Sequence, residues 1–178
     1  MMKFPLDQAA VVFVDVINNF DFDGGEDLYA NTIKIVPHMQ KLKHFARENE
    51  LPVIYVNDHY GLWKSDSKLL IEHCWNERSQ NVIGPLRPEE ADYFLMKPMH
   101  SAFFQSPLQS LLEDLGKNKL ILAGIAGDIC LLFTAQDAYM QQYDMWIPEN
   151  CMASETDLGN SHALALMHSV MNAKTDSI

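Results

Sequence analysis

Ala9-Ala10-Val11-Val12-Phe13-Val14-Asp15 is a run of apolar residues closed by a carboxylate. A run without polar alternation has both faces covered, which is the condition of a central strand in a parallel sheet. Downstream, Ile33, Val36, Met39, Leu42 and Phe45 recur at three-residue steps, with Lys34, Lys41, Lys43 and Arg47 elsewhere around the turn. This is the pattern of an amphipathic helix, and Pro37 near its beginning predicts a late start or a kink. Leu51-Pro52-Val53-Ile54-Tyr55-Val56 is a second β-rich run, stopping at Asn57-Asp58-His59. Strand, helix, strand is a βαβ unit.

The same alternation continues outward. The spacing predicts a short helix around Ser67 to Cys74, then irregular chain through the turn-like Gly84-Pro85 and Arg87-Pro88. Asp92 to Met96 reads as a third strand ending at Lys97. Leu108, Leu111, Leu112 and Leu115 supply a helical stripe, with Pro107 in an early turn and Gly116 closing it. Lys119 to Gly124 is a fourth strand, followed by a helix capped by Asp128 that carries Cys130 in its first turn and runs to about Gln141. Tyr143 to Pro148 is a fifth strand. Ala163, Leu164, Met167, Val170 and Met171 mark a last helix capped by Asn160 or Ser161, and Lys174 to Ile178 adds at most a vestigial sixth strand. No repeat or linker divides the series. The expectation is one α/β domain over residues 1–178: a three-layer α/β/α arrangement around a mainly parallel, doubly wound, Rossmann-like sheet of five or six strands.

The 178 residues include 13 Lys plus Arg against 24 Asp plus Glu, for a formal net charge of −11. Nucleic acid and anionic membrane are therefore disfavoured as partners, because non-specific phosphate contacts need basic side chains. Cys74, Cys130 and Cys151 are too widely spaced for a disulfide framework or a C-x-x-C motif, which favours a reduced, intracellular chain. The start, Met1-Met2-Lys3-Phe4-Pro5, lacks the apolar run of a signal peptide, and no later run is long enough to cross a bilayer. Cytoplasm is the expected location.

Open parallel sheets gather reactive groups beyond the carboxyl ends of their strands. Here Asp15 follows the first strand, Asp58 the second, Lys97 the third and Cys130 the fourth. A thiol that attacks, a carboxylate that takes its proton and an ammonium that offsets negative charge are the parts of nucleophilic catalysis. The helix start and Lys97 favour thiolate at Cys130, while Asp15 opposes it by charge. Small residues in Gly124-Ile125-Ala126-Gly127 leave room for a substrate carbonyl beside backbone N–H donors. Taken singly, each of these residues has an ordinary alternative: a strand-end Asp caps a loop, and a Cys in an apolar helix packs in the core.

Three segments carry a resemblance: Val11 to Phe20 around Asp15, Met96 to Phe103 around Lys97, and Leu122 to Cys130. Together they resemble the isochorismatase-like cysteine hydrolases, the superfamily that includes nicotinamidases and N-carbamoylsarcosine amidases. The resemblance spans nearly the whole chain. It implies Asp15 as base, Lys97 as its electrostatic partner and Cys130 as the nucleophile of a covalent intermediate. It also implies a cis peptide between Ile125 and Ala126, an oxyanion hole of the Ala126 and Cys130 backbone N–H groups, and a homo-oligomer, dimer or tetramer, to which Trp63 and Trp75 are suited.

The chain departs from the family pattern at Asp58-His59-Tyr60, where metal-dependent nicotinamidases have Asp-x-His; His73 does not restore that spacing, so no metal is expected. Gly127 stands where many relatives have a small hydroxyl residue. No Gly-rich phosphate fingerprint follows the first strand, so no nicotinamide or flavin cofactor is expected. Phe20, Tyr60, Trp63, Phe103 and Phe104 are suited to cover a small flat or apolar substrate, and Asn19 and Asn57 to orient a carbonyl or amide. The leading expectation is cleavage of an amide or ureido C–N bond in a small molecule. The alternatives are an isochorismatase, a metal-assisted nicotinamidase, or an inactive homologue that binds small ligands or serves as a structural subunit.

Overall fold

The computed structural model describes residues 4–178; of the chain's opening, Met1 to Lys3 lie outside the described residues. Strand β1 (Ala9–Val14) is followed by helix α1 (Gly25–Glu48) and strand β2 (Val53–Asp58). Helices α2 (Ser67–Cys74) and α3 (Gln80–Leu86) precede strand β3 (Tyr93–Lys97). Then come α4 (Leu108–Asp114), β4 (Lys119–Ile125), a π-helical turn (Gly127–Leu131), α5 (Leu132–Met140) and β5 (Asp144–Trp146). A short 3-10 turn leads into β6 (Met152–Ala153), and α6 (Asp157–Ser169) completes the helices.

The sheet order is β3-β2-β1-β4-β5, with β6 pairing the end of β4, and all the pairings are parallel. Alternate residues of the central strands serve opposite layers. Val11, Phe13, Val53 and Tyr55 pack with α1, α2 and α3, while Ala10, Val12, Ile54 and Val56 pack with α4, α5 and α6. This double coverage is why β1 contains no polar residue. After β1 the chain first builds outward through β2 and β3, then returns to the other side of β1 with β4. The rim between β1 and β4 is thus the topological switch point, where loops diverge and leave a crevice.

Several expected boundaries move. Helix α1 starts at Gly25, eight residues before Ile33, and continues through Pro37. Its first turns bury little besides Leu28 and Thr32, so the apolar stripe starts late although Glu26 and Asp27 suit a helix N-terminus. Helix α3 forms where irregular chain was expected: Val82, Ile83 and Leu86 turn inward and its end absorbs Pro85. Pro107 is the N-cap of α4, and the N-cap of α6 is Thr156, whose hydroxyl accepts from the Gly159 N–H at 3.0 Å, in place of Asn160 or Ser161. The sixth strand comes from Met152–Ala153, and the tail contributes only an isolated bridge from Lys174 to Trp146. No helix among the described residues is long and apolar enough to cross a membrane.

Candidate active site

Asp15 leaves β1 with φ at +52°, a conformation that Asp tolerates better than most side chains. Its carboxylate is held at both oxygens. Oδ1 accepts from the Asp58 N–H at 2.8 Å, and Oδ2 pairs with Lys97 Nζ at 2.7 Å. Lys97 ends β3 opposite Asp58 in the sheet register, so its side chain crosses the end of β2 to reach Asp15. Burial leaves the ammonium in need of partners for all three of its N–H bonds. The other two go to the Met99 carbonyl at 3.0 Å and to Cys130 Sγ at 3.6 Å. Burial alone would lower the Lys97 pKa, but the charges of Asp15 and Cys130 together with the Asp15 hydrogen bond carry it upward.

Cys130 arrives from the other side of the switch point. The Ile125–Ala126 peptide is cis, and the Ala126 carbonyl accepts from the N–H groups of Ile129 at 3.2 Å and Leu131 at 3.1 Å, passing over that of Cys130. The thiol therefore sits in a π-helical turn; the regular α-helix begins only at Leu132. Asp128 does not cap it. Its N–H instead donates to Ser154 Oγ at 3.0 Å, and the turn begins after Ala126. Gly127 sits in a crowded place: a Cβ there would stand 2.5 Å from Asn160 Oδ1 and 2.7 Å from Met152 Cε, so those side-chain ends would have to shift.

The isochorismatase domain family matches residues 9–177. This chain belongs to the isochorismatase family. It is 52% identical over 165 residues to the isochorismatase family protein YaaI of Bacillus subtilis, covering 93% of this chain and 91% of that one. The nicotinamidase SaPncA from Staphylococcus aureus shares the fold with a TM-score of 0.75 at 21% identity, over 96% of this chain and 99% of that one. The N-carbamoylsarcosine amidase from Thermoplasma acidophilum gives a TM-score of 0.71 at 26% identity, over 95% of both chains.

Within this family fold the expected pocket residues separate. Trp63 is 72% exposed, stacks on His59 with centroids 3.9 Å apart, and lines a cavity of about 180 Å³ with Ser65, Met96, Lys97 and Gln105. Phe104 is half-exposed. Phe20 is a core residue, edge-on to Tyr29, and Phe103 packs on Tyr143 in the layer with α4 and α5. Tyr60 packs against the core beside His73. Asn57 is wholly buried and latches Ile17, donating to its carbonyl at 2.7 Å and accepting from its N–H at 3.4 Å. Asn19 accepts from the Asp21 N–H at 3.0 Å, closing a local turn. Each of these five has a packing or hydrogen-bonding role within the fold.

The donors near Asp58 do not fit a divalent ion. Asp58 Oδ1 accepts from the Tyr60 N–H at 2.9 Å, and His59 Nδ1 accepts from the Gly61 N–H at 2.8 Å. Among the described residues no group of three His, Cys, Asp or Glu side chains is arranged to hold a metal. His100 was not singled out from the sequence, yet its Nδ1 lies 3.8 Å from Cys130 Sγ. Only its place three residues after Lys97 hinted at this, and loop spacing does not report direction.

Burial comes first among the influences on Cys130, and it raises the thiol pKa; Asp15 adds to the rise and Lys97 opposes it. Burial thus works against the thiolate that a helix start favours. Cys74 and Cys151 are wholly buried and pushed up to about 12, chiefly by burial. Accessibility therefore decides labelling. Iodoacetamide, or acrylamide where the site excludes it, is expected to modify Cys130 before the other two, with a rate still rising above pH 9.0, the ordinary thiol value. Peptide mapping that found Cys130 untouched by both reagents, while the unfolded control labelled all three thiols, would contradict this.

The same shifts set a stability trend. Above the ordinary thiol pKa of 9.0 the unfolded chain loses protons that the folded chain retains, so unfolding becomes easier as pH rises. Tyr55 and Tyr60, raised above their usual 10.0 chiefly by burial, and Lys97, raised above 10.5, act in the same sense. The melting temperature is expected to fall steadily from about pH 8.5 to about pH 10.5. A flat or rising profile would count against the buried neutral thiols.

Proposed function

We propose that this isochorismatase-family hydrolase cleaves an amide or ureido C–N bond of a small molecule through a covalent intermediate on Cys130. The carrying observation is the continuous contact from Asp15 through Lys97 to Cys130, at 2.7 Å and 3.6 Å, on the rim where β1 and β4 diverge. Asp15 takes the thiol proton as sulfur attacks the carbonyl carbon. Lys97 holds the carboxylate and offsets charge that develops on sulfur. The backbone N–H groups of Ala126 and Cys130 receive the oxyanion, and the proton on Asp15 passes to the departing nitrogen. The likeness to N-carbamoylsarcosine amidase, whose name denotes C–N cleavage, supports the substrate class.

The reaction proposed here needs no metal, because the oxyanion and the thiol are served by the chain's own groups. The test is a panel of small amides and ureides incubated with protein stripped of divalent ions, with ammonia release recorded. Turnover of at least one compound, undiminished by the stripping, is expected. Activity that vanished on stripping and returned with Zn²⁺ would overturn the metal-free route, and absence of ammonia across the panel would overturn the amide and ureide class.

A further inference from the structure

Cys130 Sγ has a nitrogen on each side. Lys97 Nζ lies at 3.6 Å, on a residue that is 1% exposed, and His100 Nδ1 lies at 3.8 Å on an exposed residue. His100 is held there from both directions along its loop. Before it, the Met99 carbonyl accepts from Lys97 Nζ at 3.0 Å; after it, the Ala102 N–H donates to Thr134 Oγ at 2.9 Å. Thr134 Oγ in turn donates to the Cys130 carbonyl at 2.7 Å, tying the His100 loop to the nucleophile's own turn. The imidazole leans on Phe133, with ring centroids 5.4 Å apart.

We propose that His100 is a further catalytic residue, the proton shuttle of the half-reaction in which water hydrolyses the acyl-Cys130 thioester. The inference rests on Cys130 being the nucleophile. Once Asp15 has passed its proton to the departing nitrogen, it is again a carboxylate with one oxygen on Lys97 and the other on the Asp58 N–H. Its side chain is only 8% exposed, whereas His100 is exposed to solvent and its Nδ1 stands 3.8 Å from sulfur. The uncharged imidazole takes a proton from water as the water oxygen bonds to the acyl carbon. The C–S bond then breaks, its electron pair stays on sulfur, and the imidazolium gives that proton to Sγ. The products are the free acid and the restored thiol, with water as the only co-reactant. One nitrogen serves both transfers, because sulfur and water are bonded to the same carbon.

p-Nitrophenyl acetate separates the two halves: nitrophenolate release follows acylation, and intact mass follows the acetyl group on Cys130. His100→Gln is expected to give a nitrophenolate burst close to one equivalent, followed by steady release slowed at least about tenfold, with acetyl-Cys130 accumulating. His100→Ala is expected to do the same and to recover when imidazole is added to the buffer, which a merely structural role would not produce. Native deacylation rates in both folded variants, or no response to imidazole, would overturn the role of His100 while acetyl-Cys130 remained detectable. Native release by folded Cys130→Ala would instead overturn the nucleophile, and the shuttle with it.

Discussion

Cys130→Ala is expected to fold like the parent chain and to lose turnover to background, with no covalent adduct by mass spectrometry. The side chain is partly exposed and its removal deletes only one sulfur, so the packing cost is small beside the chemical one. Its two neighbours behave differently. Asp15→Asn removes the proposed base and also leaves the Lys97 ammonium buried without a counter-charge, so loss of activity is expected together with a lower melting temperature. Lys97→Met keeps aliphatic bulk across the end of β2, while Asp15 retains the Asp58 N–H. It should cost at least about tenfold in turnover, or roughly 1.4 kcal/mol of transition-state stabilisation. Kinetics read beside circular dichroism and thermal melts separate the cases. Native turnover by folded Cys130→Ala would favour direct hydrolysis without a nucleophilic thiol, and native turnover by Lys97→Met alone would remove the electrostatic role while leaving the other two.

Gly124→Ala is expected to be the most damaging small change in the sheet. Gly124 pairs with Val14 at the end of the β1–β4 ladder, at φ +134°, and an added Cβ would stand 2.1 Å from the Val14 carbonyl oxygen and 2.8 Å from its nitrogen. Backbone atoms on a central strand cannot step aside. The combined strain and overpacking correspond to about 3 kcal/mol or more, a fall in melting temperature of roughly 6–12 °C for a chain of this size. Gly116→Ala is the control. It also has positive φ, at +65°, but a Cβ there meets nothing within 4 Å, so a loss of about 1–2 kcal/mol is expected. Equal melting curves for the two variants would show that the close approach of β1 and β4 does not limit stability. Because Gly124 precedes the turn to Cys130, its replacement should also lower activity in whatever fraction remains folded.

The strands were legible because parallel strands buried on both faces require uninterrupted apolar runs, and Ala9–Val14 and Leu120–Ala123 have them. Helix ends were less so. The start of α1 at Gly25 depends on packing under the Phe20 carbonyl, which a Cβ at Gly25 would approach to 2.3 Å, and α3 exists because Val82, Ile83 and Leu86 find α1 and the sheet beside them. Neither reason is visible in local periodicity. Phe20 and Phe103 look like rim aromatics in the linear chain, and only the fold shows that they point into packed layers.

From the sequence alone came an α/β fold built on a parallel sheet and a carboxylate, an amine and a thiol at three strand ends, because hydrophobic period and strand-end polarity are local properties of the chain. Tertiary structure decided which of those groups meet. Strand order carries Lys97 past β2 to Asp15, the π-helical turn aims Cys130 at Lys97, and two hydrogen bonds flanking His100 bring an unremarked loop residue to within 3.8 Å of sulfur. Tertiary structure also set the direction of the thiol's pKa, since burial, which no motif encodes, pushes it up against the helix start that the sequence suggested.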